Sequence, residues 1–495
     1  MKGRTLLAAT GAGLSLSFAF PEADLAPLAW ISMAPLLVLA RDRSPRAASA
    51  LGFVFGLGFF GSLIIWIKYV GWIPWAVLVV MEAFFIALFA ATWSVAARRW
   101  GSGVAGALIA GALWVTAEWV RSLVPAVGFT WGQLAQSQTD FSWLLRASGL
   151  AGGATVSLLL VAVNALIAQG WVARRSGRSA ISAVMAMLYI AAPVIGAGFA
   201  FVRPTAGERS LRVAIVQGNV DRDASGTTYD REIARIERHA ALTRKLDDED
   251  LDLVVWPESS VGTDAERDRL TAELLGDAAR SVGVPMIVGA NLDVDEDKYM
   301  VVALLVSAEG EIVDRYQKTH LVPFGEYIPA RNFFDWIPML EQVPRDAVAG
   351  NEPHNFEVAG VPIATVISFE GDFGPLVRDR VASGGRVVVV ATNTSTWGDS
   401  WASSQHLAFS RVRAAENGVP VIHAALSGVS AFVEPDGEIL GTRSRLYNEA
   451  VLIQEVTPPS SITPYARSGD WLPLVAAIIG LVAVVAGWRR PRSSV

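Results

Sequence analysis

The chain contains no cysteine, which excludes disulfides, thiolate metal sites and a thiol nucleophile, and leaves the redox compartment unreadable from composition. Charge is scarce as well. Only 18% of residues are Asp, Glu, Lys or Arg, the net charge is -6, and the basic residues fall in pairs rather than along one face, so nothing points to a nucleic-acid partner. Histidine occurs at five scattered positions, which suggests no metal centre and no diffusible cofactor. Internal repeats, low-complexity tracts and a glycine-rich phosphate loop are all missing. What is abundant is apolar: 52% hydrophobic residues and a mean hydropathy of +0.39 over 495 residues, too much for an ordinary soluble enzyme and enough chain for two or more domains.

Apolar windows near bilayer-crossing length recur through the first 202 residues. They run from Thr5 to Phe20, Leu25 to Ala40, Ala47 to Ile67, Trp72 to Ala97, Gly103 to Val120, Gly149 to Trp171 and Ala180 to Phe201, and one more, Trp471 to Trp488, follows much later. Leu6 to Phe20 behind Lys2 and Arg4 also has the outline of a signal peptide, but no A-x-A-like site follows it. Basic residues alternate as eight crossings require: Lys2 and Arg4, then Arg41, Arg43 and Arg46, then Arg98 and Arg99, then Arg174, Arg175 and Arg178, then Arg489, Arg490 and Arg492. Short cytoplasmic loops hold the Lys and Arg excess. Both termini are therefore expected in the cytoplasm, with residues 203–470 on the outer side of the cytoplasmic membrane. The expected domains are 1–202 (transmembrane), 203–470 (polar, extracytoplasmic) and 471–495 (a last span with a basic tail).

From Leu211 onward short β-rich runs alternate with polar helices. Strands are expected at 211–220, 251–258, 284–290, 299–306, 311–316, 361–368, 386–393 and 420–425, and helices at 229–247, 264–281, 373–383 and 403–417. Near-continuous Val and Ile runs imply strands covered on both faces, hence a layered α/β domain. Three strand ends carry chemistry. Glu258 closes L-V-V-W-P-E, Lys318 follows R-Y-Q, and Ser368 ends I-A-T-V-I-S before a tight turn through Phe369, Glu370, Gly371 and Asp372. Acyl transfer needs a nucleophile, a base for its proton, and a cation or N–H groups where oxyanion charge develops. Ser368 fits the first, Glu258 the second, and Lys318 with the backbone N–H of Phe369 the third. Singly, each has an ordinary explanation: a solvated carboxylate, a surface ammonium, a turn serine.

The order Glu, Lys, nucleophile is that of the carbon-nitrogen hydrolase (nitrilase) superfamily, and longer strings narrow the match. W-P-E-S-S (256–260), K-T-H-L-V-P-F-G-E-Y-I-P (318–329), Q-H-L-A-F-S-R-V-R-A-A-E-N-G-V-P-V (405–421), S-G-V-S-A-F-V-E-P-D-G (427–437) and G-F-T-W-G-Q-L-A-Q-S-Q (128–138) resemble the apolipoprotein N-acyltransferase family over nearly the whole chain. That resemblance implies a multi-pass helical membrane domain joined to a nitrilase-like αββα domain on the outer face. It implies transfer of an acyl chain from a phospholipid to an enzyme nucleophile, then to the N-terminal amine of diacylglyceryl-cysteine in a lipoprotein, without metal or cofactor and with the chain acting as a monomer. By the family's motifs Glu258 is the base, Lys318 is electrostatic, and Glu326 and Glu370 support the site; His320 and His406 belong to the strings as structural residues.

The family's nucleophile is a cysteine, where this chain has Ser368. A serine hydroxyl is a far weaker acid than a thiol and usually relies on a histidine or lysine base. A deliberate replacement, natural divergence that tolerates serine, and loss of catalysis are all open. Met300, where the family generally has Asn, and T-N-T-S-T-W-G (392–398), where it reads close to S-N-D-A-W-F-G, are scattered departures that favour natural divergence. A membrane-tethered amidase and a non-catalytic scaffold are the competing functions. Phe333, Phe334, Trp336, Ile337 and Leu340 in 331–350, and the run from Phe129 to Trp143, are expected either to meet lipid as an arm and a floor for acyl chains or to cover the protein's own core.

Overall fold

The computed structural model describes residues 3–124, 128–175, 187, 192, 194–200, 207, 209–220, 226–334 and 338–489. The chain forms two compact units. One comprises Met1–Arg203, Ser400–Ala408 and Thr463–Val495, the other Pro204–Asp399 and Phe409–Ile462.

The first unit is helical. Among the described residues, five helices are long and apolar enough to cross a membrane: Pro45–Leu63, Trp72–Trp100, Gly103–Ser122, Ala154–Arg175 and Trp471–Trp488. The expected span from Ala180 to Phe201 lies largely outside the described residues, as do Arg178, Arg490 and Arg492. The first two expected spans fall short. Gly3–Ser17 has 15 residues, about 22 Å at 1.5 Å per residue, less than the ~30 Å of hydrocarbon. Leu25 to Ala40 is broken into a 3-10 turn at Ala26–Trp30 and a helix at Ala34–Arg41. Pro35 explains the break, since it has no N–H to donate and its ring collides with the carbonyl one turn back. The backbone N–H groups freed at Met33 and Ala34 donate to Asn164 Oδ1 (3.0 Å each), while Asn164 Nδ2 donates to Ala29 O (2.8 Å). A single amide side chain thus satisfies the broken backbone, as an apolar surrounding demands.

Small residues set the helix spacing. Pro45–Leu63 packs on Trp72–Trp100, and a Cβ on Gly52 or Gly56 would lie 2.4 Å from Ile86 O or 2.6 Å from Ala83 Cα. The spacing of four puts both glycines on one face, where backbones approach directly. Several buried charged groups in this unit are paired internally. Arg121 Nη1 donates to Glu82 Oε2 (2.7 Å) and Trp131 O (2.6 Å), and Glu118 Oε1 accepts from Trp114 Nε1 (2.8 Å) and Leu134 N (2.9 Å). The loop at 128–138 is thereby pinned to buried charge. Phe129 and Trp131 are buried and stacked, with ring centroids 5.3 Å apart, and Trp131 Nε1 donates to Gln405 Oε1 (3.1 Å). These two rings cover the unit's own core and offer no floor to lipid.

The second unit is built on two sheets. In spatial order the first holds Ala450–Val456, Leu211–Gln217, Leu253–Val261, Met286–Asp293, Lys298–Val306 and Ile312–Gln317, with Asp346–Ala347 beside Lys298–Val306. The second holds Ile439–Leu440, Ala431–Val433, Val421–Ala425, Val387–Thr392, Val361–Ile367 and Asn355–Val358. Each sheet has a parallel trio at its centre. Strand side chains alternate between faces, so Val213, Ile215 and Val255 point to the core shared with Ile363, Val389 and Ile422 of the other sheet. Ala214, Val216 and Val254 meet Ile236, Ala240 and Leu275 of helices Thr228–Thr243 and Arg269–Val282. Helix Gly374–Ala382 packs on Val361–Ile367 and Val387–Thr392. The order of layers is helix, sheet, sheet, helix.

Because the approach at Gly56 is backbone to backbone, Gly56→Leu is expected to cost about 1–3 kcal/mol, read as a lowered unfolding midpoint in detergent. Gly11→Leu, at a position with open space around it, should leave the midpoint unchanged.

Candidate active site

Glu258 lies within Leu253–Val261 and Lys318 just after Ile312–Gln317 of the same sheet, while Ser368 follows Val361–Ile367 of the other sheet. Glu258 lies where the pairing of Leu253–Val261 with Met286–Asp293 slips, between Trp256 opposite Val288 and Val261 opposite Ala290. The irregularity turns the glutamate out of the ladder. It depends on Gly289, where a Cβ would lie 2.3 Å from Pro257 O and 2.5 Å from Glu258 Cα. Lys318 follows Ile312–Gln317, its N–H donating to Val301 O (2.9 Å). Ser368 follows Val361–Ile367 and opens the 3-10 turn Ser368–Asp372 with φ of +50°, a left-handed conformation that a non-glycine residue holds only when its surroundings impose it.

Those surroundings are chiefly Glu370, which is buried. Its Oε2 accepts from Ile367 N (2.8 Å), and its Oε1 accepts from Tyr316 Oη (2.7 Å), Thr319 N (2.7 Å), Thr319 Oγ1 (2.8 Å) and His320 N (3.1 Å). One carboxylate therefore ties the Ser368 turn to the segment that carries Lys318. Phe369 lies beside it, stacked on His320 (5.8 Å) and edge-on to Phe373 (5.0 Å). Burial holds the His320 imidazole below its ordinary pKa despite the charge of Glu370, so it is neutral at pH 7.

At the centre Lys318 is fully buried, at 0% exposure. Its ammonium donates to Glu258 Oε1 (3.3 Å) and to Glu326 Oε1, and Glu326 Oε2 accepts from Val322 N (2.8 Å). Ser368 lies beside Glu258, whose carboxylate its hydroxyl helps to stabilise, and its Oγ receives a hydrogen bond from Thr392 Oγ1 (3.2 Å). Burial raises the pKa of Glu258, Lys318 opposes the rise, and Glu326 adds to it. For Lys318, burial works against the charged form, but Glu326 and Glu258 outweigh it and hold the pKa above the ordinary lysine value. The result is a hydroxyl beside a carboxylate that is itself bonded to a buried cation. That arrangement can take a proton from the hydroxyl and stabilise the anion that follows.

Glu258, Lys318, Glu326, Ser368, Phe369 and Glu370 thus all gather at one place. Three residues that local sequence did not mark join them: Tyr316, Thr319 and Thr392. Thr392 ends the all-buried run V-V-V-V-A-T, a strand end like those of the other site residues. Tyr299 lies near the same charges; burial, then the charge of Glu326, pushes its phenol up to about 12. Met300 pairs opposite Leu292 and packs against the core on the helix side, and Thr394 donates to Gly428 O (2.9 Å). In the segment 331–350, Phe333 is 71% exposed, while Trp336 and Ile337 lie outside the described residues. Arg331 bonds Asp346 (2.5 Å) and Arg345 bonds Asp293 (2.7 Å), tying the base of that segment. Among the described residues no group of three or more His, Asp or Glu is placed to hold a metal ion.

Residues 12–166 match the model of the apolipoprotein N-acyltransferase N-terminal domain, and residues 212–466 match that of carbon-nitrogen hydrolase. An apolipoprotein N-acyltransferase of Geobacter metallireducens is 31% identical over 511 residues, covering 99% of this chain and 96% of the relative. One of Methylococcus capsulatus is 31% identical over 507 residues, covering 99% and 97%. Among solved structures, an amidase from Nesterenkonia sp. aligns with 54% of this chain and 95% of its own at 18% identity and a TM-score of 0.38, a likeness too distant to bear on the chemistry. With both domain models matched in order and relatives aligned almost end to end, the chain belongs to the apolipoprotein N-acyltransferase family.

Proposed function

We propose that this protein transfers an acyl chain from a phospholipid, through an ester on Ser368, to the N-terminal amine of a diacylglyceryl-cysteine lipoprotein at the outer face of the cytoplasmic membrane. The observation that carries the reading is the buried Lys318 ammonium held between Glu258 and Glu326, with Ser368 beside Glu258. In the first half-reaction Glu258 accepts the hydroxyl proton as Oγ attacks the ester carbonyl of the phospholipid. Lys318 and the backbone N–H of Phe369 face the oxyanion. The tetrahedral adduct collapses by breaking the bond to the glycerol oxygen, which leaves with the proton from Glu258. In the second half the lipoprotein amine attacks the Ser368 ester, Glu258 takes the amine proton, and the bond to Oγ breaks as that proton returns to it.

The alternation of Arg41, Arg43 and Arg46 with Arg98 and Arg99, and then with Arg174 and Arg175, supports cytoplasmic termini and a catalytic domain outside. Phe333, which is exposed, fits an arm that meets acyl chains. A diacylated lipopeptide is the expected acceptor, and water replaces it in the amidase-like alternative.

The purified protein, incubated with phospholipid and a diacylated lipopeptide and followed by mass spectrometry, should give the N-acylated peptide, and Ser368→Ala should give none. Free fatty acid without acylated peptide would assign a hydrolase instead. Activity confined to Ser368→Cys would mean a scaffold that lacks its attacking atom.

The pH profile carries a sign. Glu258 works ionised, and burial raises its pKa above the ordinary 4.5. Activity is therefore lost as pH falls through that raised value and is complete above it. The acid limb of kcat/KM should lie above pH 4.5, and Glu258→Gln should remove both the limb and at least a hundredfold of the rate, in keeping with the roughly 10²–10⁴ that a positioned base contributes.

A further inference from the structure

We propose that Thr392 is a catalytic residue, whose hydroxyl donates to Ser368 Oγ and carries part of the alkoxide charge that this oxygen bears on entering and leaving the ester. The inference rests on Ser368 being the nucleophile.

Thr392 is fully buried, and Ser368 Oγ, at 3.2 Å, is the one partner its hydroxyl has among the described residues. A buried hydroxyl that bonds nothing is costly, so the site holds this contact firmly. The donor sense is fixed by geometry: Thr392 Oγ1 donates and Ser368 Oγ accepts. The position is fixed by the sheet. Val361–Ile367 and Val387–Thr392 run parallel with Ile367 opposite Ala391, so the residues that follow, Ser368 and Thr392, leave adjacent strand ends side by side.

The consequence concerns serine specifically. In the first half-reaction the Oγ–H bond breaks toward Glu258 while the bond from Oγ to the acyl carbon forms. In the second, that bond breaks and Oγ departs as an alkoxide until its proton returns. An alkoxide is a far poorer leaving group than a thiolate and a far better hydrogen-bond acceptor than sulfur. The Thr392 hydroxyl serves an oxygen nucleophile much more than it would serve a sulfur one, and it acts at the two moments when serine is weakest.

The test separates this from the fate of the lipoprotein reading by using a probe that needs only an activated serine. A fluorophosphonate forms a phosphorus–oxygen bond to Oγ and expels fluoride, and its labelling of Ser368 is timed by mass spectrometry on the full chain in detergent. Thr392→Val, which keeps the shape and removes the donor, should slow labelling about tenfold, the size expected for a hydrogen bond to a developing charge. Thr392→Ser should stay within about twofold of the natural protein, by the same reckoning. In a Ser368→Cys background, timed with iodoacetamide, Thr392→Val should change alkylation by less than about twofold, because sulfur is a weak acceptor. Equal labelling of the natural protein and Thr392→Val overturns the proposal. So does an equal loss in the serine and cysteine backgrounds, which would mark a structural role, and so does a natural protein that does not label at all. Labelling that follows the expected pattern in a protein that acylates no lipopeptide would leave Thr392 in place and defeat the acyltransferase reading.

Discussion

The ammonium of Lys318 has no access to water, and the second unit depends on how that charge is matched. An unpaired cation there would lose its proton or unfold its surroundings. Two carboxylates prevent both, Glu258 from the bulged strand and Glu326 from the loop eight residues downstream. Removing one partner of a buried pair typically costs about 3–5 kcal/mol because the other charge is stranded. That makes Glu326 necessary even without contact with a reacting atom. Its charge keeps Lys318 protonated while Glu258 is free to gain and lose a proton during turnover.

A matched charge is not yet a site, because the attacking atom must also be held. That task falls to Glu370, which takes five hydrogen bonds from the residue before Ser368 and from the Tyr316–His320 segment. Left-handed backbone at a serine is unfavourable by itself. Here it is sustained by fixing the strand end on one side and the turn's own glutamate on the other. Two carboxylates, Glu258 and Glu370, stand in different surroundings: Glu370 takes five hydrogen bonds, while Glu258 is paired with Lys318.

Lys318, after the half-exposed antiparallel edge strand Ile312–Gln317, stood out in sequence only through its motif. Glu258 and Ser368 were legible because they follow Val- and Ile-rich runs that form buried parallel strands. Thr392 stands in the same kind of place, but a threonine closing a strand is common, and only the pairing of Ile367 with Ala391 gives it meaning. Hydropathy says little about the local helices within the first two apolar windows for a related reason. It sums side chains and is blind to what Pro35 does to the backbone or to what Asn164, some 130 residues away, does to repair it. Ala450–Val456 also escaped notice, although it pairs with Leu211–Gln217 along seven residues; its own burial is partial from Ala450 to Gln454, so the local pattern is weak and the pairing is entirely long-range. Trp131 misled in the opposite direction. An aromatic in an apparent outer loop suggests lipid, yet its indole N–H is committed to Gln405.

The same electrostatics bear on how a serine can stand where relatives of this kind are expected to use a thiol. A carboxylate of ordinary acidity is a poor base for an alcohol, since the gap between their pKa values is large and proton transfer follows that gap. Burial narrows it by raising Glu258, and Lys318 opposes that rise. The two effects oppose each other at one oxygen, and each is useful only because the other is present. A more exposed Glu258 would be ionised but too weak a base; a Glu258 without Lys318 would be strong but occupied. With a donor on the other side of Oγ, the hydroxyl sits between a base that wants its proton and a proton that supports its charge, which is the environment an oxygen nucleophile needs and a sulfur one does not.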